Sequence, residues 1–240
     1  MTADVTQVQT GQIYVRLREE ILAGAFQPDK PISQIKLAER LGVSRTPLRE
    51  ALRMLQRDGL IHSEPNRRVH VTALSIGDLE ELYASRIVLE ALALRITMQR
   101  AGAAELEQLD EALEAMSLAA ASRDVERWEA PHRRFHEILR GHAGRRIEAL
   151  GADLAAHGER YRRVYLTEPI AWPSADADHR AIVEAWRAGD DQLAAERLAR
   201  HLARTALTVI ASAAPEHDAL PVRTAVRLVT GLDDPKEGAR

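Results

Sequence analysis

The chain has 240 residues, enough for two domains, with 45% apolar, 4% aromatic and 29% charged side chains. It has no cysteine, which excludes a disulfide framework and a thiolate metal site. It also has no apolar run approaching the ~20 residues of a membrane span and no signal-like start, so a soluble cytoplasmic protein is expected. The net charge of −3 is uneven: residues 1–74 hold 11 Lys and Arg against 8 Asp and Glu, while residues 75–240 hold 22 against 28, as fits a nucleic-acid module joined to something else.

Residues 1–10 are polar and expected to fray. Ile13, Val15, Leu17, Ile21 and Leu22 predict a helix from Gln12 to Ala23, ended near Gly24, and Pro28-Asp29 marks a turn. Lys36 to Leu60, KLAERLGVSRTPLREALRMLQRDGL, holds two helical patterns meeting at Gly42-Val43. Leu37, Ala38 and Leu41 form the first stripe. In the second helix Ser44 is a candidate cap, Pro47 sits in the first turn and Gly59 ends it. There Leu48, Ala51, Leu52 and Leu55 share one side, while Arg45, Arg49, Arg53 and Arg57 recur every fourth residue on another. An Arg row is commonly just a solvated face. The turn, the cap and the row together favour a helix-turn-helix whose second helix enters the major groove of DNA.

Leu60-Ile61-His62 and Val69-His70-Val71 read as two short strands around the turn Glu64-Pro65-Asn66-Arg67-Arg68, a β-hairpin wing placed to touch DNA. After a linker at 72–75, Ser75 with Asp78 signals a helix start, and a long helix runs to about Gln99. Helical patterns follow at 103–121, 124–142, 145–166, 175–188 and 190–213. The expected fold is mainly α: a winged helix-turn-helix domain over 1–74 and an all-α six-helix bundle over 75–214. The tail at 215–240 is expected to add a turn of helix at Val222–Val229 and to be disordered from Asp233.

His132 and His136 are i, i+4 on one helix, on the face of Trp128, Phe135 and Leu139. His179 shares a stripe with Ile182, Val183 and Trp186, and His201 borders that of Leu198, Leu202 and Val209. A lone buried histidine usually bonds a backbone carbonyl. Four on the inward faces of three helices favour a divalent transition metal. Imidazole suits Zn, Ni, Cu, Fe and Co; the residues do not select among them, and Zn or Ni is the working expectation. His157 is a spare candidate, and His62, His70, His142 and His217 read as surface or wing residues. Arg86 and Glu90 share an inward stripe with Leu79, Leu82, Leu89 and Ala93. Two readings stay open: a structural ion pair, or an Arg86 that holds an anionic ligand with Tyr83 lining the same cavity. Arg162 and Arg163 are further charge candidates, though most Arg on that helix are expected to be solvated.

The stretches LREEILAGAFQP, KLAERLGVSRTPLREALRMLQRDGL and PNRRVHV resemble the winged-helix domain of the GntR family of bacterial transcription regulators. DLEELYASRIVLEALALR, RRFHEIL, DHRAIVEAWRAGD and ARHL resemble the family's FCD ligand-binding domain, in its six-helix subtype. The resemblance implies operator contacts at Arg45, Thr46 and Arg49, with Lys36, Ser44, Arg67 and Arg68 as further DNA-binding candidates. Ile35 and Arg68 depart from the family's frequent Arg and Gly. It also implies a metal held by an Asp and three His. The three His align with His136, His179 and His201, and the Asp position is occupied by His132. An all-nitrogen set favours a transition metal over Mg or Ca.

The function so implied is a homodimeric, sequence-specific DNA-binding transcription regulator, a repressor, on a near-palindromic operator. A small organic acid bound on the metal, with Arg86, Tyr83 and Glu90 as effector-binding candidates, would control it. Alternatives are a regulator that senses the metal itself and a metal-dependent hydrolase. Glu137 after His136 lacks a second His four residues on, so no H-E-x-x-H pattern supports the hydrolase.

Overall fold

The structure is a computed structural model that describes residues 2–28, 30–63 and 68–231, with side chains from residue 9 onward. The wing tip, including Arg67, and the expected disorder from Asp233 lie outside the described residues. The chain divides into two compact units, Met1–Leu74 and Ser75–Arg240.

In the first unit α1 (Thr2–Leu22) packs on α3 (Arg45–Arg57), and α2 (Gln34–Leu41) joins α3 through a tight turn. Ser33 caps α2 by accepting from the Lys36 N–H at 3.4 Å, and Gly42 ends it in the left-handed region at φ 66°. That conformation suits glycine and lets α3 start three residues later. Ile13, Leu17, Leu37, Leu48, Leu52 and Leu55 close one core. Strands β1 (Ile61–Ser63) and β2 (Val69–Val71) pair antiparallel, with Ile61 opposite Val71. Ile32 bridges to Val69 on the other side of β2, its N–H donating to the Val69 carbonyl at 2.6 Å.

The expected helix start at Gln12 is corrected: α1 begins at Thr2. No proline interrupts this stretch, and adding residues to an existing helix is far easier than nucleating one. The first strand starts one residue later than expected, although the Leu60 carbonyl still accepts from the Thr72 N–H at 3.0 Å. His70, read as a surface or wing residue, lies in the second wing strand and is buried, with its ring stacked on His62 of β1 at 5.2 Å.

The second unit contains the six expected helices: α4 (Ile76–Met98), α5 (Ala103–Ala121), α6 (Val125–Arg140), α7 (Arg145–Tyr165), α8 (Ala171–Arg187) and α9 (Asp191–Ala213). Ser75 caps α4 by accepting from the Asp78 N–H. Asp124 and Asp190 cap α6 and α9 in the same way. α4 runs through the middle, packing on α6, α7 and α9. α8 begins four residues before the expected 175. Pro173 falls in its first turn, where its missing N–H costs no helical bond. The expected tail is corrected too. Leu220–Thr230 forms an eleven-residue helix, α10, which buries Val222 and Ala225 against α4 and α9 and belongs to this second unit. Pro221 starts it and Gly231, at φ 65°, ends it.

Candidate metal centre and nucleic-acid interface

The first turn of α3 changes face within four residues. Ser44, Arg45 and Thr46 are exposed, Pro47 and Leu48 are buried, and Arg49 is exposed again. Periodicity then returns Ala51, Leu52 and Leu55 to the core, so the buried face fixes where the guanidinium row stands. Arg53 is tied to Glu50 at 2.7 Å. Among the described residues, Arg45 and Arg49 have no carboxylate partner. Lys36 and Arg68 are exposed as well. Ser44 holds the extended N-cap backbone, but its hydroxyl makes no bond to the helix. The expected side-chain cap is thereby corrected: the third helical position is Pro47, which has no N–H to offer.

The second unit gathers His132, His136, His179 and His201. One ring nitrogen from each lies within 4.8 Å of the others, and all four residues are buried. His132 and His136 come from successive turns of α6, His179 from α8 and His201 from α9. His132 stacks on Trp128, with ring centroids 4.2 Å apart, and Phe135 closes against His179 at 4.9 Å. His157 is half-buried on α7 and stands outside the quartet. His62 and His142 are exposed; His142 meets Glu105 at 3.0 Å, and His217 meets Glu80 at 2.7 Å.

Carboxylates stand behind two of the rings. Glu90 Oε2 lies 3.2 Å from His136 Nδ1, and Asp178 Oδ2 lies 3.5 Å from His201 Nδ1. The other Glu90 oxygen accepts from Arg86 Nε at 2.8 Å, and the Arg86 guanidinium lies over the Tyr83 ring at 5.0 Å. Arg86, Glu90 and Tyr83 are thus brought together, fully buried, with Glu90 joining the guanidinium to the histidine cluster. Burial alone would raise the Glu90 carboxyl, but the Arg86 charge and the His136 bond hold it below the ordinary carboxylate range.

Three buried ring nitrogens of this cluster have no hydrogen-bond partner among the described residues: His132 Nδ1, His136 Nε2 and His179 Nε2. Burying a polar atom without a partner is costly, and three such atoms in one cluster call for a shared one. Burial pushes His132 and His179 well below the ordinary imidazole range. It also takes His136 down to about 4 against the opposing pull of Glu90. Neutral imidazoles offer lone pairs, and each carboxylate behind a ring can hold the opposite nitrogen outward. The residues therefore fit a divalent transition ion.

The expectation that most Arg on α7 are solvated is corrected: Arg145 and Arg146 are exposed, but Arg160 and the charge candidate Arg162 are buried and Arg163 is half-buried. Arg162 forms a fork on Glu129 of α6, through Nη2 to Oε1 and Nε to Oε2, the latter at 3.3 Å. Its charge helps depress His132 and His179. In the sequence, Glu129 stands out only as the residue three before His132 on the same inward face, and Asp178 only as the neighbour of His179. Nothing local pairs either with its partner.

A winged helix-turn-helix followed by an all-α domain is the architecture of a DNA-binding transcription regulator. The gntR family of bacterial regulatory proteins matches residues 9–71, and the FCD domain matches residues 81–204. The chain belongs to the GntR family, in the branch that carries an FCD domain. It is 36% identical over 132 residues to the uncharacterized HTH-type transcriptional regulator YdhC of Bacillus subtilis, a match spanning 53% of this chain and 58% of that protein. It is 30% identical over 189 residues to a probable D-xylose utilization operon transcriptional repressor of Paenarthrobacter nicotinovorans, spanning 77% of this chain and 81% of that protein. The solved structure of E. coli McbR/YncC shares the fold, with a TM-score of 0.70 at 22% identity, covering 85% of this chain and 98% of that one. The family and these relatives are transcription regulators and not enzymes, which removes the hydrolase alternative. Among the described residues no helix is long and apolar enough to cross a membrane.

Proposed function

We propose that this regulator is a cytoplasmic, homodimeric repressor whose grip on a near-palindromic operator is controlled by a small organic acid received at the histidine cluster. The observation that carries the reading is the set of three partnerless buried ring nitrogens in one four-histidine cluster. His132, His136, His179 and His201 would hold a divalent transition metal, Zn or Ni first. A bound cation supplies a positive charge on which a carboxylate can dock. Arg86 and Tyr83 line the effector side, with Glu90 setting the orientation of Arg86. Arg162 adds a second buried guanidinium near His132 and His179.

At the other unit, Arg45, Thr46 and Arg49 would read base edges from the exposed start of α3, with Ser44, Lys36, Arg67 and Arg68 on phosphates or the minor groove. Two such helices in a dimer meet successive major grooves. The effector weakens operator binding by its difference in affinity for the two conformations of the protein, and by no more than that.

The test is a gel-shift titration of the full-length protein on its own upstream DNA, metal-loaded and chelated, with and without a panel of small organic acids. Release by one acid only in the metal-loaded protein is the expected result. Release by metal alone would make the cation the signal. Identical binding in all four conditions would refute control through this cluster.

A further inference from the structure

Gly158 lies in the interior of α7, where alanine would form a better helix. A Cβ built there would come within 2.6 Å of Arg86 Nη1 and 3.4 Å of its Cζ. The far end of an arginine can usually swing aside, but this one has little room. Arg86 is 2% exposed, its Nε is bound to Glu90 at 2.8 Å, and its guanidinium lies on the Tyr83 ring. The Tyr83 hydroxyl would itself be 3.7 Å from the new methyl. Moving Arg86 therefore means releasing Glu90, whose other oxygen faces His136 Nδ1 at 3.2 Å.

We propose that Gly158 is a positioning residue for the histidine cluster: its missing side chain lets Arg86 lie flat on α7, which fixes Glu90 and through it the ring of His136. The relay runs from the α7 backbone through α4 to α6. Its last link is the carboxylate behind a ligand imidazole, the kind of partner whose loss lowers metal affinity by about 10–100-fold. The inference rests on the metal reading above, and the experiment separates the two.

Zn(II) affinity is measured by competition with a chromogenic chelator, and Co(II) absorption reports ligand geometry, both on the full-length protein. Gly158→Ala is expected to keep or raise helix content while losing about tenfold in Zn(II) affinity and altering the Co(II) bands. In an Arg86→Lys background, which removes the clashing Nη1, the same Gly158→Ala change is expected to cost less than about threefold. Glu90→Gln, which breaks the relay without adding bulk, is expected to lose about tenfold and decides the matter if the Gly158 variant does not fold. The proposal is overturned if folded Gly158→Ala binds within about twofold of the unmodified protein. It is equally overturned if its loss is undiminished beside Arg86→Lys, or if Glu90→Gln binds normally. An unmodified protein that binds neither ion would remove the metal reading itself.

Discussion

Two arginine–carboxylate forks join α6 to α7, and they differ mainly in how deep the carboxylate lies. Arg163 reaches Glu126 through Nη1 and Nη2 at 2.7 and 3.2 Å, with Glu126 64% exposed. Arg162 grips Glu129 in the same forked manner, with side chains only 9% and 5% exposed. Removing Glu126 leaves Arg163, itself only 15% exposed, still paired with the buried Glu159 at 3.3 Å, so loss of the exposed Glu126 carboxylate by Glu126→Gln should cost under ~1 kcal/mol. Removing Glu129 leaves the Arg162 guanidinium buried without its carboxylate. Breaking a buried pair on one side costs about 3–5 kcal/mol, and a guanidinium cannot shed its proton to escape. Glu129→Gln should therefore destabilise the second unit by about 3 kcal/mol or more. At roughly 2–4 °C per kcal/mol for a unit of this size, the melting point falls by about 6–12 °C. Urea unfolding of both variants in the presence of chelator keeps bound metal out of the comparison. Equal costs for the two variants, or a Glu129→Gln cost below ~1 kcal/mol, would refute the claim that depth decides the strength of these forks.

Further outcomes are expected. Arg49→Ala should lose about 1–3 kcal/mol of operator affinity by gel shift if its guanidinium grips a guanine, and an unchanged shift would remove it from the interface. His136→Ala and His179→Ala should each abolish stoichiometric metal by elemental analysis; full occupancy in both would reject the ligand set. Val222→Ala, at a fully buried position on α10, should cost about 1–3 kcal/mol in denaturant unfolding. A neutral result would show that α10 adds nothing to the core.

Periodicity alone makes most of the fold readable in the amino-acid sequence. The stripes of α4 to α9 are long, and inward faces on α6, α8 and α9 are enough to bring four histidines together. The Ser75 cap is readable from spacing. Other features depend on contacts that no local pattern encodes. Glu129 meets Arg162 from 33 residues away, and Glu90 meets His136 across 46. Helix α10 turns only Val222 and Ala225 fully inward, too few to mark a stripe. His70 reads as a wing surface because its burial involves a ring stacked on it from the other strand, His62 with centroids 5.2 Å apart, which no local pattern encodes. Ser44 has the right side chain for a cap, but the proline three positions on removes the N–H that such a cap needs.

The histidine cluster contains no sulfur, and the whole chain contains no cysteine. Sensors built on thiolates are disabled by peroxide and air, because the ligand atom itself is oxidised. Imidazole nitrogens do not enter that chemistry. If the cluster holds a redox-inert ion such as Zn(II), as proposed, that ion can be stripped and refilled on an open bench without reductant, and its occupancy should be the same in oxidising and reducing surroundings.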